Sequence, residues 1–377
     1  MGRRGRGTLR SPEELRAFLT LRLLPGLGDR TLMRMLEAQG SARTALSLST
    51  KAFQRAAGAG PEKARGAPEV LRRVDAVLEA CLRFEIRILT LGGPGYPPSL
   101  LALTDPPAVL FLRGPGELAG QRSVAIVGSR RASPVGRRTG ERLGREFGRA
   151  GITVVSGLAL GIDGAAHRGA RAEAGSTIAV LGSGPDRAHP RGNLALFEEI
   201  LENGLIVSEF PPGEPPRPYH FPRRNRIIAA LSRAVVVVEA ARRSGALITV
   251  DHALDLGLDV FAVPGSVEAP QSEGTNALLR DGAHLIVKAE DLLAVMGWDL
   301  PLAPETGAIP ARPGLRGRTA EAPTPGTLLG ALTGTPRSLD DLVGALGEAP
   351  GRLLARLTRL ELEGSARRTE DGWIAVR

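Results

Sequence analysis

The chain has 377 residues, 49 Lys+Arg against 40 Asp+Glu for a net charge of +9, and one cysteine, Cys81. That length suits two or three domains, and a single cysteine excludes disulfides and any cysteine-based zinc site. No apolar stretch reaches the ~18 residues of a membrane helix, and the N-terminal arginines precede no signal-like apolar run, so a cytoplasmic protein with no membrane partner is expected.

The basic charge is nearly all arginine, with lysine only at Lys51, Lys63 and Lys288. Guanidinium forks fit phosphates in a bidentate way, although an arginine-rich coding composition would favour the same residue everywhere. The distribution says more: residues 1–85 carry +7, residues 121–290 carry +3 and residues 325–377 carry zero. A basic front beside a nearly balanced core points to a polyanion partner held more weakly as salt rises.

Residues 1–10, MGRRGRGTLR, read as a solvated basic tail. From Ser11 the chain shows an N-cap serine with Pro12 and Glu13 behind it, a helix, the turn Leu24-Pro25-Gly26-Leu27-Gly28 and a second helix. This is the form of a helix-hairpin-helix, whose glycines let backbone approach a phosphate; a plain helical hairpin wants the same glycines. Residues 1–85 are therefore expected to be a small all-α, helix-hairpin-helix (SAM-like) domain. Residues 86–122 combine a short strand, Ile86 to Leu91, with dense prolines, and lead into the next domain.

From Val124 to about residue 297 apolar strands alternate with helices, the pattern of a parallel sheet covered on both faces. The predicted strands are Val124–Val127, Thr153–Ser156, Thr177–Leu181, Leu205–Ser208, Ala234–Val238, Val260–Val263 and His284–Val287. The fold class is thus α/β, a Rossmann-like, doubly wound, mostly parallel sheet over residues 86–297. Such sheets bind ligands at the carboxyl ends of their strands. Here those ends carry Gly128-Ser129-Arg130, Ser156-Gly157 through Gly161 to Asp163, Gly182-Ser183-Gly184, Glu239 with Ser244-Gly245, and Pro264-Gly265-Ser266. Together they predict a groove lined by amide N–H groups, hydroxyls and arginines.

The stretch Pro211 to Thr249 is the centre of that prediction. A proline-broken loop containing Arg217 delivers Phe221, then Arg223, Arg224, Asn225 and Arg226, onto the first turn of a helix ending near Ser232. An apolar strand follows, and the next helix is expected to open with Ser244, Gly245 and Ala246. Helix N-termini carry unpaired N–H groups and partial positive charge, which suit anions. Arginines with one aromatic beside them make a phosphate grip plus a stacking surface. His167, on the helix after the second turn, is a candidate phosphate contact or a helix-packing residue; Asp163 reads as a turn brace.

Residues 298–324 are a Pro/Gly-rich linker, and residues 325–377 give three helices and a hairpin turned at Glu370-Asp371-Gly372, a winged-helix domain. Its third helix sets Arg352, Arg356 and Arg359 opposite Leu353, Leu357 and Leu360. With no net charge, that domain reads better as a docking or structural element than as a DNA reader.

Several chemistries are absent from the sequence. The first strand is followed by no G-x-G-x-x-G, and no Walker lysine, H-E-x-x-H or G-x-S-x-G occurs. The five histidines form no ligand-like cluster. No catalytic residue, metal or cofactor is expected, and the protein reads as a binder rather than an enzyme.

In order and spacing, VAIVGSRRAS, SGLALGIDGAAHRGA, the His189-Pro190…Asn193 turn, FPRRNRIIAALS, VVVEAARRSGALIT, VFAVPGS and GTNALLRDGAH resemble the DNA-processing protein A family (DprA, or Smf). The resemblance covers essentially the whole chain. It implies a single-stranded DNA-binding mediator of natural transformation, a homodimer that protects incoming strands and helps load the RecA recombinase. It also implies that Gly128, Ser129 and Arg130, with Phe221, Pro222, Arg224, Asn225 and Arg226, form the strand-binding pocket. Val135 stands where a tyrosine is common, and Ala230 where glycine is. The competing reading is a nucleotide phosphoribohydrolase of the lysine-decarboxylase-like fold, but EAARRSGALIT lacks that family's double glycine and following glutamate.

Overall fold

The computed structural model describes residues 11–118, 122–171 and 177–298, and nearer the C-terminus residues 332, 337–346, 353, 356–358, 360–361, 365–369 and 372–375. The expected basic tail 1–10, the linker beyond Trp298, Arg352, Arg359, Glu370 and Asp371 lie outside the described residues. Two compact units are resolved, Met1–Pro304 and Glu305–Arg377.

Among the described residues, six helices open the first unit: α1 Pro12–Arg22, α2 Asp29–Gln39, α3 Ala42–Ser47, α4 Thr50–Ala57, α5 Ala59–Ala64 and α6 Pro68–Arg83. The sequence signals for α1 operate as read. Ser11 Oγ accepts from the Glu14 amide at 3.2 Å, and Pro12 occupies the first helical position, where its missing N–H costs nothing. The Leu24–Gly28 turn then reverses the chain with Gly26 at φ +81°, a conformation that L side chains avoid.

The sheet follows as β1 Arg87–Thr90, β2 Val109–Arg113, β3 Ser123–Val127, α7 Pro134–Arg149, β4 Thr153–Ser156, α8 Ile162–Ala170, β5 Thr177–Leu181, α9 Leu194–Asn203, β6 Leu205–Ser208, α10 His220–Ala230, β7 Ala234–Val237, α11 Leu247–Asp255, β8 Asp259–Ala262, α12 Glu273–Arg280, β9 His284–Leu285 and α13 Ala289–Met296. The order across the sheet is β1-β2-β6-β5-β4-β3-β7-β8-β9. β3 to β9 run parallel, while β1 pairs antiparallel with β2 and β2 antiparallel with β6. The proline-rich stretch after residue 86 therefore supplies two strands of the same sheet. The doubly wound, mostly parallel architecture expected from the alternation is the one observed.

Alternate residues serve opposite faces, as a two-residue repeat requires. Ala125, Val127, Val235 and Val237 enter one core with Ile227 and Val250, whereas Val124, Ile126 and Val236 enter another with Leu143 and Phe147. The front helices are not separate from this body: Phe18, Leu21, Leu32 and Val74 share a core with Ala108, Val109 and Phe111 at the β2 edge.

In the second unit the described residues include a helix, Leu339–Leu346, and an antiparallel hairpin, Ala366–Thr369 with Gly372–Ala375, joined in register Thr369 to Gly372. Leu342, Leu353, Leu357 and Trp373 form its core. Further on, Leu353 and Leu357 are buried and Leu360 partly so, as the apolar face requires; of the arginines expected opposite them only Arg356, which is exposed, is among the described residues.

Candidate nucleic-acid interface

The strand order reverses between β3 and β7: β4 to β6 build outward on one side of β3, β7 to β9 on the other. At such a switch point the loops leaving two neighbouring strands diverge and open a crevice beyond the carboxyl ends. A pocket of about 640 Å³ lies there, with Gly128, Ser129, Arg130 and Arg131 after β3, Phe221 and Arg224 from α10, and Ser244 and Gly245 after β7 in its wall. Asp163 forms part of its floor.

Phe221 is the partly exposed ring of this wall. The Arg130 guanidinium carbon lies 5.0 Å from its centroid, and the His189 ring lies 5.6 Å away at 33°. One exposed arginine and one ring thus share a spot, the pairing that a base and its phosphate need. Burial, and then the Arg130 charge, lower the His189 pKa, so it stands neutral beside the ring at physiological pH. The sequence shows His189 only as part of the His189-Pro190 turn; nothing local in that turn reveals its approach to Phe221.

The arginines of α10 divide in a way the sequence did not show. Arg224 is buried: it donates to the carbonyls of Gly157, at 2.7 Å, and Val180, and its Nε reaches Asn225 Oδ1 at 3.2 Å. Its route explains Gly157, because a Cβ there would meet the guanidinium. Asp163, also buried, accepts from the amides of Gly157 at 3.1 Å and Ala159 at 3.4 Å. Burial raises the Asp163 pKa against the opposing charge of Arg224, and burial brings Arg224 down to about 10. Arg226 is buried on the other side of the helix, with Nη2 2.6 Å from Glu209 Oε2. Arg223, partly exposed, faces Asp29 and Glu209 at 3.0 Å each. The expected four-residue phosphate grip on α10 is therefore corrected: Arg224 braces the pocket floor, and Arg223 and Arg226 face away from the pocket into ion pairs. Consecutive helical residues point about 100° apart, so three arginines in four positions cannot share one face.

Other expected contacts move as well. His167 is fully buried, with Nδ1 2.6 Å from Thr177 Oγ1, and burial takes its pKa down to about 3; it is the helix-packing residue. Ser156 is buried and donates to the Ile126 carbonyl at 2.6 Å. Gly161 is a backbone device with φ +83°, where a side chain would strike the Ser129 carbonyl. Ser244 and Gly245 precede α11 in a turn closed by the Leu247 amide on the Ser244 carbonyl at 3.0 Å; the helix begins at Leu247, not Ser244. Arg217 is exposed on the proline loop and pairs with Glu214 at 3.3 Å.

Many of the turn amides are already used. Ser129 N donates to Glu239 O at 2.7 Å, Arg131 N to Ser129 Oγ at 3.1 Å, and the Gly157 and Ala159 amides to Asp163. The charge left exposed at this edge is on side chains: Arg130 and Arg131 in the lining, with Arg242 and Arg243 exposed in sequence between the lining residues Ala241 and Ser244. These last two are legible in the sequence as a charged pair after β7, and the structure places them next to pocket-lining residues. Among the described residues no group of His, Cys, Asp or Glu is arranged to hold a metal, and no helix is long and apolar enough to cross a membrane.

The fold has counterparts among known proteins. The family described as DNA recombination-mediator protein A matches residues 87–297, and the DprA winged helix domain matches residues 310–372. Protein Smf of Escherichia coli K12 is 39% identical over 295 residues, 75% of each chain. DNA processing protein DprA of Streptococcus pneumoniae R6 is 44% identical over 199 residues, 53% of this chain and 70% of that one. Among solved structures, S. pneumoniae DprA superposes with a TM-score of 0.61 at 34% identity, covering 74% of this chain and 95% of that one. A structure concerned with the single-stranded DNA binding mode of Helicobacter pylori DNA processing protein A gives 0.52 at 31%, covering 56% and 96%. With residues 87–297 and 310–372 both matched by this family's domains and relatives of 39% identity covering three quarters of the chain, the chain belongs to the DNA-processing protein A (DprA/Smf) family.

Proposed function

We propose that this protein binds single-stranded DNA in the switch-point pocket and acts, as a homodimer in the cytoplasm, in natural transformation, protecting incoming strands and helping to load RecA. The observation that carries the reading is the Arg130–Phe221 pair, an exposed cation on an accessible ring at the carboxyl edge of the sheet. A single strand offers every base face to a ring and every phosphate to a guanidinium, so recognition of this type is indifferent to sequence. The described relatives named for DNA processing, and the H. pylori protein whose single-strand binding mode was determined, support the same reading.

The site is proposed as a binding site without catalysis. The carboxylate nearest the pocket floor, Asp163, is committed to two amides and faces Arg224. Glu239 is committed to Ser133 at the start of α7. Neither is placed as a free base. The test is full-length protein titrated with labelled oligothymidine and with duplex of equal length over a salt series. Preference for the single strand, with affinity falling log-linearly in salt, is expected; release of ribose from AMP-like nucleotides would replace this reading by the phosphoribohydrolase one.

A further inference from the structure

A chain of buried charge runs between the helical front and α10, and the pocket does not account for it. At the end of α1, Arg22 Nε lies 2.7 Å from Asp29 Oδ1. The other oxygen of Asp29 accepts from Arg223 Nη2 at 3.0 Å. Arg223 Nε lies 3.0 Å from Glu209 Oε2 as an ion pair, and that oxygen accepts a hydrogen bond from Arg226 Nη2 at 2.6 Å. Arg226 Nη1 completes the run on the Asp105 carbonyl at 2.6 Å. The two carboxylate side chains are only 3% and 1% exposed.

A second link ties the same segment to the front. Arg73 of α6 pairs with Glu214 of the proline loop at 3.1 Å. Glu214 in turn holds Arg217 and, through its backbone carbonyl, the Gly184 amide at 2.9 Å. The stretch that carries Phe221 is thus held at both ends, at Glu214 and at Arg223, by residues of the front helices. Arg223 and Arg226, three apart, share the helix face turned toward these partners, while Phe221 and Asn225 serve the pocket.

Buried carboxylates are tolerated only with their charge partners in place, and losing one partner strands the other. Alternating charges of this kind therefore define one rotational setting of α10. The first residue of α2 is also where a helix-hairpin-helix would present a helix N-terminus to a phosphate, and here the Asp29 carboxylate occupies it, turned inward.

We infer that the helical front is a brace that sets the register of the nucleic-acid-binding helix, with Asp29 as the positioning residue acting through Arg223. The inference rests on the pocket being the single-strand site, but its first test does not. Hydrogen–deuterium exchange is read on the free full-length protein. In Asp29→Asn the amides of His220–Arg226 exchange about tenfold faster, while β7 keeps its protection. Binding of oligothymidine weakens by about tenfold with the salt slope unchanged, since no phosphate contact is lost, and Asp29→Glu returns it to within about twofold. Added to Arg223→Gln, Asp29→Asn has no further effect on affinity.

Unchanged exchange in α10, a uniform rise over the whole unit, or a salt slope reduced by about 1 would overturn the inference. Should Asp29→Asn fail to fold, Arg223→Gln cuts the same link from its more exposed side. Weaker binding at unchanged slope then supports the brace, and a reduced slope makes Arg223 a phosphate ligand and sinks it. A wild-type protein that ignores oligothymidine would refute the proposed function, while the exchange result would still decide the brace.

Discussion

Arg130, Phe221 and Arg224 line one pocket and do three different things. Arg130 is exposed, so Arg130→Ala should weaken single-strand binding to all sequences alike and lower the salt slope by about 1. Phe221→Ala should cost about 1–3 kcal/mol of affinity with the slope unchanged, because stacking releases no counterion; anisotropy titrations at several salt concentrations separate the two. Arg224→Ala should instead lower stability, by roughly 2–5 kcal/mol, since it takes a donor from the Gly157 and Val180 carbonyls and removes the charge that offsets the burial of Asp163; denaturant midpoints will show it. His167 supplies a pH signature. Its pKa is about 3 when folded, well below its ordinary value, so between those limits the unfolded chain binds the extra proton. Its contribution is full above about pH 6.5 and is lost as pH falls toward 3, at up to about 1.4 kcal/mol per pH unit. His167→Gln should flatten the acid limb of the stability curve relative to wild type.

At the scale of elements, the junction of α7 with β7 decides how well the Gly128–Arg131 turn is held. Ser133 caps α7 by accepting from the Gly136 amide at 2.9 Å, and its own amide donates to Glu239 Oε2 at 2.9 Å. Gly136 is required because a Cβ there would collide with that carboxylate. Glu239 therefore receives a helix start rather than a ligand, and its carbonyl fixes the Ser129 amide. Ser133→Ala removes one hydrogen bond from the cap and one from Glu239. A loss of about 1–2 kcal/mol in thermal or denaturant unfolding is expected, with DNA affinity falling less than in Arg130→Ala.

For the whole molecule, the family match beginning at residue 87 invites a truncation that the packing argues against. Removing residues 1–85 would bare Val109 and Phe111, now 1% and 2% exposed, and leave Arg223 without Asp29. Re-exposing two such side chains costs roughly 3–6 kcal/mol, enough to lower the melting midpoint of residues 86–297 by roughly 10 °C. A midpoint equal to that of the full chain, read by scanning calorimetry, would refute this shared-core argument.

Much of this was legible in the sequence. Short, β-branched, all-apolar runs such as Ala234–Val237, bounded by turn residues, suit strands buried on both faces, so the parallel sheet, its helices and the glycine-rich turns at its carboxyl edge followed from local pattern. Ser11, Pro12 and the Leu24–Gly28 turn announced the helical hairpin through backbone preferences that act over a few residues. The same pattern puts Phe221 near that edge, where it lines the pocket. What local pattern could not assign was where each arginine of PRRNR points. That depends on which carboxylate or carbonyl, from Asp29 to Gly157 and Val180, the fold carries to each side of α10. A guanidinium looks the same in sequence whether it meets solvent or a buried acid. Only the tertiary structure, by deciding which long-range partners desolvate it, separates the cation left for a phosphate from the cation spent on the protein itself.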